Sequence, residues 1–407
     1  MKTTDNHSES SARTVPFGRR SSALDGVRGM AILSVLCFHT LRVSGDGMLL
    51  VPAWRFFQES SWCGVDLFFV LSGFLITGIL LDSRDYKGYF KNFYLRRALR
   101  IMPLYYATLL SALVIVPLLL GPSKLPDLYS KLLANQVWLW LYLQNFFQSQ
   151  GAHQLPGFGH FWTLAVEEQF YWVWPLVVYF ANRKWLLRIC LTICVCEPLL
   201  RLILLETGTG TWALRELTFT RADTLLWGAI GAILARDAAL RTRYLRVMHL
   251  AACVAAFTVV VMALYSGFLR YDGRDTVIAG YSALGLLFGV FVLSCAMSQG
   301  ILARIVSAPL LQWFGKYSYS IYIVHPIALL VYGATVSPNL ILGRFPAALV
   351  RFVTVTSFSA LFAWLSWMLL ESRFLVLKRN FEYRNNAGLP RSAAIDQAPA
   401  DEVVSVS

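Results

Sequence analysis

Charged residues are scarce in this sequence. Of its 407 residues, Asp, Glu, Lys and Arg make up 14%, whereas hydrophobic residues make up 57%. A soluble chain of this length needs far more charge to cover its surface, so the composition excludes an ordinary soluble globular protein. The 13 Trp, 27 Phe and 18 Tyr residues are typical of a protein with aromatic-rich membrane interfaces. We therefore predict an all-α, polytopic membrane protein.

Signatures of several other protein classes are missing. The seven cysteines show neither a disulfide framework nor the spacing of zinc ligands, and we expect no metal. The first 22 residues contain no apolar core, so we expect no cleavable signal peptide. The net charge of +13 does not indicate a nucleic-acid partner, because the positive-inside rule for membrane proteins accounts for it.

Ten apolar runs are long enough to cross about 30 Å of hydrocarbon, which takes roughly 20 helical residues. These runs are about 27–44, 62–81, 102–120, 161–181, 186–205, 219–235, 247–267, 276–297, 317–336 and 346–370. A shorter run at 132–147 contains Asn and Gln. This run could cross the membrane, re-enter it or lie in the interface.

The basic residues favour a topology in which 132–147 does not cross. Both termini then lie on one side, taken as the cytoplasm, and this side receives 25 of the 36 Lys and Arg residues. If 132–147 crossed, the basic clusters at 183–188 and 236–246 would lie outside. We therefore predict about ten transmembrane helices with both termini cytoplasmic.

The predicted organisation is a single membrane domain at 23–378. The polar segments at 1–22 and 379–407 are expected to be disordered cytoplasmic tails. No internal repeat with a period of 20–50 residues is visible. The membrane domain must therefore contain whatever chemistry the chain performs.

The first predicted span carries two ionisable residues, Arg28 and His39. Such residues are expensive inside a membrane and indicate function by default. Eleven residues correspond to about three helical turns, so the two side chains share one face and lie roughly 16 Å apart along the axis. Asp25 and Gly26 add a carboxylate and a close-approach backbone position at the helix entrance. The alternative interpretation is an interfacial anchor, Arg28, beside an inert core histidine.

The next two spans add further polar groups. The second span contains Asp66 in its outer third and Ser72–Gly73 near its middle, a pair that is typical of helix packing. A compact basic cluster precedes the third span and consists of Arg96, Arg97 and Arg100. Each of these arginines alone is ordinary inner-face charge, which lipid headgroups would satisfy, but as a set they could clamp a phosphate.

Two adjacent carboxylates, Glu167 and Glu168, lie one to two turns into the fourth span, shortly after His160. They point to different sides of the helix, so we expect only one of them to face the interior of the bundle. Such a glutamate could orient a histidine, balance an arginine or bind a hydroxyl-bearing substrate.

Polar residues also occur in two later spans. Arg221 and Asp223 lie at the start of the sixth span, where we expect a structural ion pair between them. In the ninth span, Tyr322 and His325 are three residues apart and share a face. Tyrosines in such a span are typical of interfacial anchors, whereas a histidine in mid-span suggests a function.

Taken together, these motifs resemble the membrane acyltransferase-3 family, which includes bacterial glycan O-acetyltransferases. The resemblance extends from about Leu24 to Glu371. Six segments carry it in order, namely "LDGVRGMAILSVLCFH", "GVDLFFVLSGFLIT", "RRALRIMPLYY", "FWTLAVEEQFYWVWP", "TRADTLLWG" and "GKYSYSIYIVHPI". Each segment alone is a loose pattern, but all six in this order are specific.

The resemblance implies an enzyme of the bacterial inner (cytoplasmic) membrane, an acyltransferase for groups other than aminoacyl groups. It would move an acyl group, expected to be acetyl, from acyl-CoA to a hydroxyl of a surface or lipid-linked glycan. Acyl-CoA would be a co-substrate, and no cofactor is implied. The C-terminal hydrolase-like domain of some members is expected to be absent, because fewer than 40 residues follow the last span.

The resemblance also assigns roles to residues of this sequence. His39 matches the catalytic histidine of the family, Arg28 its partner and Glu167 the first glutamate of the family's EEQ motif. On chemical grounds we expect His39 to act as general base or transient acyl carrier, and Glu167 to hold its tautomer. The expected donor-binding residues are Arg28, Arg96, Arg97 and Arg100. Further candidates for substrate binding are Asp25, Asp66, Ser72, Glu168, Tyr322 and His325.

The sequence is also compatible with several different functions. A transporter or flippase of a lipid-linked sugar would use buried charges as well, although neither paired repeats nor symmetric broken helices are visible. The chain could instead be a catalytically idle partner in glycan assembly, or an acyltransferase that acts on a glycosylated small molecule such as a macrolide. The acceptor, the acyl length, the oligomeric state and the choice between direct transfer and an acyl-histidine relay are likewise open.

Overall fold

The computed structural model describes residues 21–42, 51–121, 127–151, 155–266, 269–298, 300–335 and 344–383. Within these ranges the chain forms helices and no strand, so the predicted all-α class is confirmed. Of the tails predicted at 1–22 and 379–407, only residues 21–22 and 379–383 are among the described residues, and the rest lie outside them.

In the described part of the chain, ten long helices follow the ten predicted spans in order. They are α1 (Ser22–Thr40), α2 (Gly64–Ser83), α3 (Tyr89–Leu110), α4 (Trp162–Phe180), α5 (Arg183–Glu206), α6 (Ala222–Arg236), α7 (Ala238–Ser266), α8 (Tyr281–Met297), α9 (Pro309–Thr335) and α10 (Arg344–Ser366). Single π-helical turns continue three of them, at Ser111–Ile115 after α3, Thr276–Gly280 before α8 and Trp367–Glu371 after α10.

Seven of these helices, with their extensions, are long and apolar enough to cross a membrane. The helical ranges are Ser22–Thr40, Trp54–Ser83, Tyr89–Leu120, Ala238–Ser266, Thr276–Met297, Pro309–Thr335 and Pro346–Phe381. The predicted polytopic membrane protein is therefore confirmed. Crossing by α4, α5 and α6 and the cytoplasmic position of the termini stay predictions, and α6, with 15 residues, covers only about 22 Å.

The run at 132–147 does not form one helix. The chain here is divided among three short helices, Asp127–Ala134, Gln136–Trp140 and Gln144–Ser149. The longest has 8 residues and covers about 12 Å, less than half of the hydrocarbon thickness. Tyr142, with φ of 56°, lies between the second and third helices in the left-handed region. This segment is too broken to cross as a single helix, which agrees with the topology that the charges favour.

Glycines bring the central helices into backbone contact. A Cβ atom on Gly29 of α1 would lie 2.0 Å from the carbonyl oxygen of Leu311 in α9. A Cβ atom on Gly73 of α2 would lie 1.8 Å from the carbonyl oxygen of Leu225 in α6. The predicted close approach at Gly26 is also confirmed, since its Cβ would overlap a backbone carbonyl. Small residues at such interfaces let helices pack tightly, which fixes α1 and α2 relative to their neighbours.

Two buried ion pairs connect α2, α5 and α6. Arg221, just before α6, pairs with Asp66 on α2, and Arg201 on α5 pairs with Asp223 at 2.8 Å. All four side chains are at most 1% exposed. The predicted pair between Arg221 and Asp223 is therefore wrong, because each residue pairs with a different helix. Removing one partner would leave an uncompensated buried charge, so these pairs hold the three helices together.

Candidate active site

Two cavities in the described part of the helical bundle contain most of the predicted site residues. The first encloses about 120 Å³, and we call it the arginine cavity because Arg28, Arg97 and Arg100 line it. The second encloses about 400 Å³, and we call it the histidine cavity because His39 and His160 line it. Arg28 lies in the second turn of α1 and His39 in the last, so the cavities follow one another along this helix. As the spacing predicts, both side chains face this path.

The two cavities meet at three residues that line both, Val65, Thr163 and Tyr322. We call this group the partition. The hydroxyl oxygens of Thr163 and Tyr322 are 2.6 Å apart. The Tyr322 hydroxyl also donates to the carbonyl oxygen of His160 at 3.0 Å. A hydrogen-bonded pair of side chains from α4 and α9 therefore separates the arginines from the histidines.

The imidazole of His39 is oriented by its own helix. Its Nδ1 atom lies 2.8 Å from the carbonyl oxygen of Val35, one turn earlier. Because a carbonyl only accepts hydrogen bonds, Nδ1 carries the hydrogen and Nε2 keeps the lone pair. The expectation that Glu167 holds this tautomer is wrong, because the Val35 carbonyl takes that place. In the neutral ring, the basic nitrogen is therefore Nε2, on the opposite side from the nitrogen that Val35 anchors.

Two further histidines form a cluster with His39. The ring centres of His39 and His325 are 5.0 Å apart, and those of His160 and His325 are 5.2 Å apart. His325 is completely buried and is not among the residues that line either cavity. Its Nδ1 donates at 2.8 Å to the carbonyl of Tyr322, which lacks its usual helical partner because Pro326 has no N–H. His325 therefore supports the wall behind His39.

Three of the four arginines expected to bind the donor line the arginine cavity. The guanidinium of Arg97 lies over the ring of Tyr171, 4.2 Å from its centre. Arg28 forms an ion pair with Asp25 at 2.9 Å, which makes Asp25 a partner that orients an arginine. Arg100 lines the same cavity.

Arg96 faces elsewhere. Its Nη1 donates to the carbonyl oxygens of Lys378 and Phe381, at 3.1 and 3.3 Å, in the segment that follows α10. It is not among the residues that line the arginine cavity. The predicted cluster of three neighbouring arginines therefore divides, with Arg97 and Arg100 in the cavity and Arg96 holding the end of the helical domain.

Both carboxylates of α4 line the arginine cavity, so the expectation that only one faces the bundle is wrong. The hydroxyl of Tyr171 donates to Glu167 at 3.1 Å and is itself hydrogen-bonded to Ser72. Within the described residues, the Oε1 atom of Glu168 has no hydrogen-bond partner. Glu167 and Ser72 are therefore joined through Tyr171 in one hydrogen-bonded wall of the cavity. The Oε1 atom of Glu168, by contrast, can accept a hydrogen bond from a ligand.

The histidine cavity contains two residues that the sequence did not single out as site residues, His160 and Arg215. Burial, with a smaller contribution from His39, lowers the pKa of His160 to about 3, so its ring is neutral at pH 7. Both residues lie in short segments between long helices, where no apolar periodicity marks them as unusual. Asp66 also lines this cavity, but it is engaged by Arg221.

Comparison with known protein families gives one match that covers most of the chain. A family model described as an acyltransferase domain matches residues 21–370. This range includes all ten long helices and both cavities. It ends one residue before the end of the π-helical turn that follows α10. No solved structure is significantly similar to the chain.

Curated relatives are similar over most of this chain. A peptidoglycan O-acetyltransferase of Listeria monocytogenes is 28% identical over 331 residues, covering 77% of this chain and 50% of the relative. A putative peptidoglycan O-acetyltransferase of Bacillus subtilis is 28% identical, covering 74% and 47%. A putative O-acetyltransferase of Staphylococcus aureus is 26% identical, covering 88% and 57%. The chain thus spans about half the length of these relatives.

Proposed function

This chain belongs to the family of acyltransferase domains, and we propose that it is a membrane O-acyltransferase. The acyl group would pass from acyl-CoA to a hydroxyl of a cell-envelope glycan. The names of the relatives make acetyl the first acyl group and peptidoglycan the first acceptor to test. The corresponding location is the cytoplasmic membrane of a bacterium.

The observation that carries this proposal is the position of His39. Its Nε2 atom is the basic nitrogen, and the side chain lines a cavity that adjoins a second cavity rich in arginine. A neutral imidazole can remove a proton from an alcohol near pH 7. The histidine cavity thus supplies a base on one side of the partition, and the arginine cavity supplies phosphate-binding groups on the other side.

The arginine cavity is the proposed site for the phosphates of acyl-CoA. Arg28, Arg97 and Arg100 present three guanidinium groups to one cavity. Guanidinium groups bind phosphates by paired, charge-assisted hydrogen bonds. The thioester would then extend toward Tyr322 and Thr163, where the two cavities meet.

The proposed transfer is a single displacement at the thioester carbon. Nε2 of His39 takes the proton of the acceptor hydroxyl while the hydroxyl oxygen attacks the carbonyl carbon. The carbon–sulfur bond then breaks, and the imidazolium returns the proton to the CoA thiolate. If donor and acceptor never meet, Nε2 first attacks the thioester carbon and CoA leaves as the thiolate. The acceptor hydroxyl then attacks the acyl-imidazole, the bond between the acyl carbon and Nε2 breaks, and the hydroxyl proton passes to the thiolate.

The test is acyl transfer by the purified protein from radiolabelled acetyl-CoA to peptidoglycan fragments. His39→Gln should lower the rate by about 10²- to 10⁴-fold, the usual contribution of a general base. His249→Gln is the matched control, because His249 is exposed on α7 and does not line either cavity. Both variants must elute as folded, monodisperse protein.

Three results distinguish the proposed enzyme from a transporter, and direct transfer from a relay. Near-normal transfer by the His39→Gln variant would contradict the role of this residue. Movement of a lipid-linked sugar across vesicles without consumption of acetyl-CoA would indicate a transporter. Radiolabel that stays on the protein after denaturation in the absence of acceptor, and is lost in the His39→Gln variant, would indicate the acyl-histidine relay.

A further inference from the structure

Arg215 occupies an unusual position in the histidine cavity. It lies on the short helix Thr211–Glu216, between α5 and α6. Its guanidinium carbon is 5.2 Å from the ring centre of Trp162 and 4.7 Å from those of Trp212 and Tyr271. Three aromatic rings therefore hold this cation in place through cation–π contacts.

Within the described residues, no carboxylate forms an ion pair with Arg215. The side chain is half-buried and lines the cavity, so a ligand can reach it. The completely buried arginines Arg201 and Arg221, by contrast, each pair with a carboxylate. Arg215 is fixed by aromatic rings and leaves its hydrogen-bond donors available.

The histidine cavity carries a net positive charge. Its charged lining consists of Arg42, Arg215 and Arg221 with the carboxyl groups of Asp66 and Glu216. Arg221 and Asp66 neutralise each other in a buried pair. Burial raises the pKa of Glu216 to about 8 against the opposing effect of Arg215, and this shift favours the uncharged form at pH 7. The three arginines outnumber the two carboxyl groups in either form. Arg42, at the exposed edge, and Arg215 are the charges that remain.

A second donor faces the same space. Gln148 lines the histidine cavity, is 4% exposed, and its Nε2 has no hydrogen-bond partner among the described residues. A buried donor without an acceptor is destabilising, so a ligand atom that accepts this hydrogen bond would be bound favourably. Arg215 and Gln148 together present a cation and an amide donor, while aromatic rings supply a surface for a sugar.

We propose that the histidine cavity is an acceptor site for a glycan that carries a carboxylate, which Arg215 binds. This inference rests on the proposed function, because it names the acceptor class of the same site. The phosphates of acyl-CoA share this chemistry, but the arginine cavity offers them three guanidinium groups beyond the partition. Arg215 therefore selects the acceptor and orients its hydroxyl toward His39.

The experiment compares two matched ligands, a peptidoglycan disaccharide with its lactyl carboxylate and the same disaccharide with that carboxyl reduced to an alcohol. Binding is measured without donor by isothermal titration, and transfer is measured separately with radiolabelled acetyl-CoA. The purified protein should bind the carboxylate form about 10- to 100-fold more tightly, the effect of one charge-assisted hydrogen-bonded contact. Arg215→Gln should abolish this preference, and Arg215→Lys should retain part of it.

Arg270→Gln is the matched control. Arg270 lies between α7 and α8, is exposed, pairs with Asp272 and is not among the residues that line the histidine cavity. It should keep the full preference for the carboxylate form and the full rate of transfer.

The outcomes separate this inference from the proposed function. Equal binding of the two disaccharides by the unsubstituted protein overturns the inference. A raised KM for acetyl-CoA with unchanged disaccharide binding in the Arg215→Gln variant also overturns it, because Arg215 would then serve the donor. Preference for the carboxylate form without any acyl transfer would support the inference and refute the proposed function.

Discussion

Replacing Tyr322 by Phe tests whether the partition between the two cavities controls the fate of the acyl group. The substitution keeps the aromatic ring and removes only the hydroxyl. That hydroxyl lies 2.6 Å from the Thr163 hydroxyl and 3.0 Å from the carbonyl oxygen of His160, and the ring lines both cavities. Without these bonds only packing, including contacts with the rings of His160 and His325, holds this ring in place, so an open arrangement becomes less unfavourable.

The size of the effect follows from the two hydrogen bonds that are lost. Each neutral hydrogen bond contributes about 1 kcal/mol, so the closed arrangement should lose about 1–2 kcal/mol relative to an open one. This corresponds to roughly a 5- to 30-fold rise in the open population. Water from the histidine cavity would then reach the thioester more often, and acyl-CoA would be hydrolysed instead of transferred.

The assay measures free acetate and acetylated glycan in the same reaction. Tyr322→Phe and Thr163→Val should each raise the ratio of hydrolysis to transfer, by up to about 30-fold. The double variant should raise it by less than the product of the two, because both substitutions remove the same contact. Tyr319→Phe is the control, since its hydroxyl donates to the Ile101 carbonyl at 2.7 Å and its ring lines only the arginine cavity.

An unchanged ratio in the Tyr322→Phe and Thr163→Val variants, with transfer intact, would refute the reasoning. The pair would then be an ordinary packing contact. An equal rise in the Tyr319→Phe variant would show that any loosening of α9 has this effect, and that the partition has no special role.

Two more predictions concern the arginines and Glu216. Arg100→Gln should raise the KM for acyl-CoA roughly 10- to 100-fold in steady-state kinetics. Arg96→Gln should leave this KM near the original value, because Arg96 donates to backbone carbonyls. Equal effects of the two substitutions would contradict the division between these arginines. The pKa of Glu216 is raised by burial from 4.5 to about 8, so its contribution to stability is complete below pH 4.5 and is lost as pH rises to 8. The unsubstituted protein should lose up to about 1.4 kcal/mol more per pH unit in this window than the Glu216→Gln variant, and parallel pH profiles of thermal unfolding would exclude the shift.

Local features of the chain were predictable from the sequence. The apolar runs became helices because their length and composition decide that outcome, and the broken run at 132–147 was marked by its short length and its amides. The shared side of Arg28 and His39 follows from helical periodicity alone. Even the tautomer of His39 depends on a carbonyl one turn away, at Val35, so helix geometry could have identified it.

Contacts between distant segments were not predictable in the same way. Arg221 and Asp223 are neighbours in sequence, but they pair with Asp66 and Arg201 because the backbone turns their side chains toward different helices. Glu167 and Glu168 leave α4 in different directions, yet one cavity is wide enough to include both. Arg215 is one of many arginines in the sequence, and only the three rings packed around it distinguish it.

The arrangement has a chemical logic for group transfer inside a membrane domain. Acyl-CoA and an anionic glycan both carry negative charge, so a single open cavity would place them in mutual repulsion. Here each cavity has its own guanidinium groups, and a pair of hydroxyls at Thr163 and Tyr322 lies between them. Only the uncharged parts of the two substrates, a thioester and an alcohol, need to meet at the partition. A neutral histidine is the base that suits this meeting point, because it introduces no further charge until it accepts the proton of the alcohol.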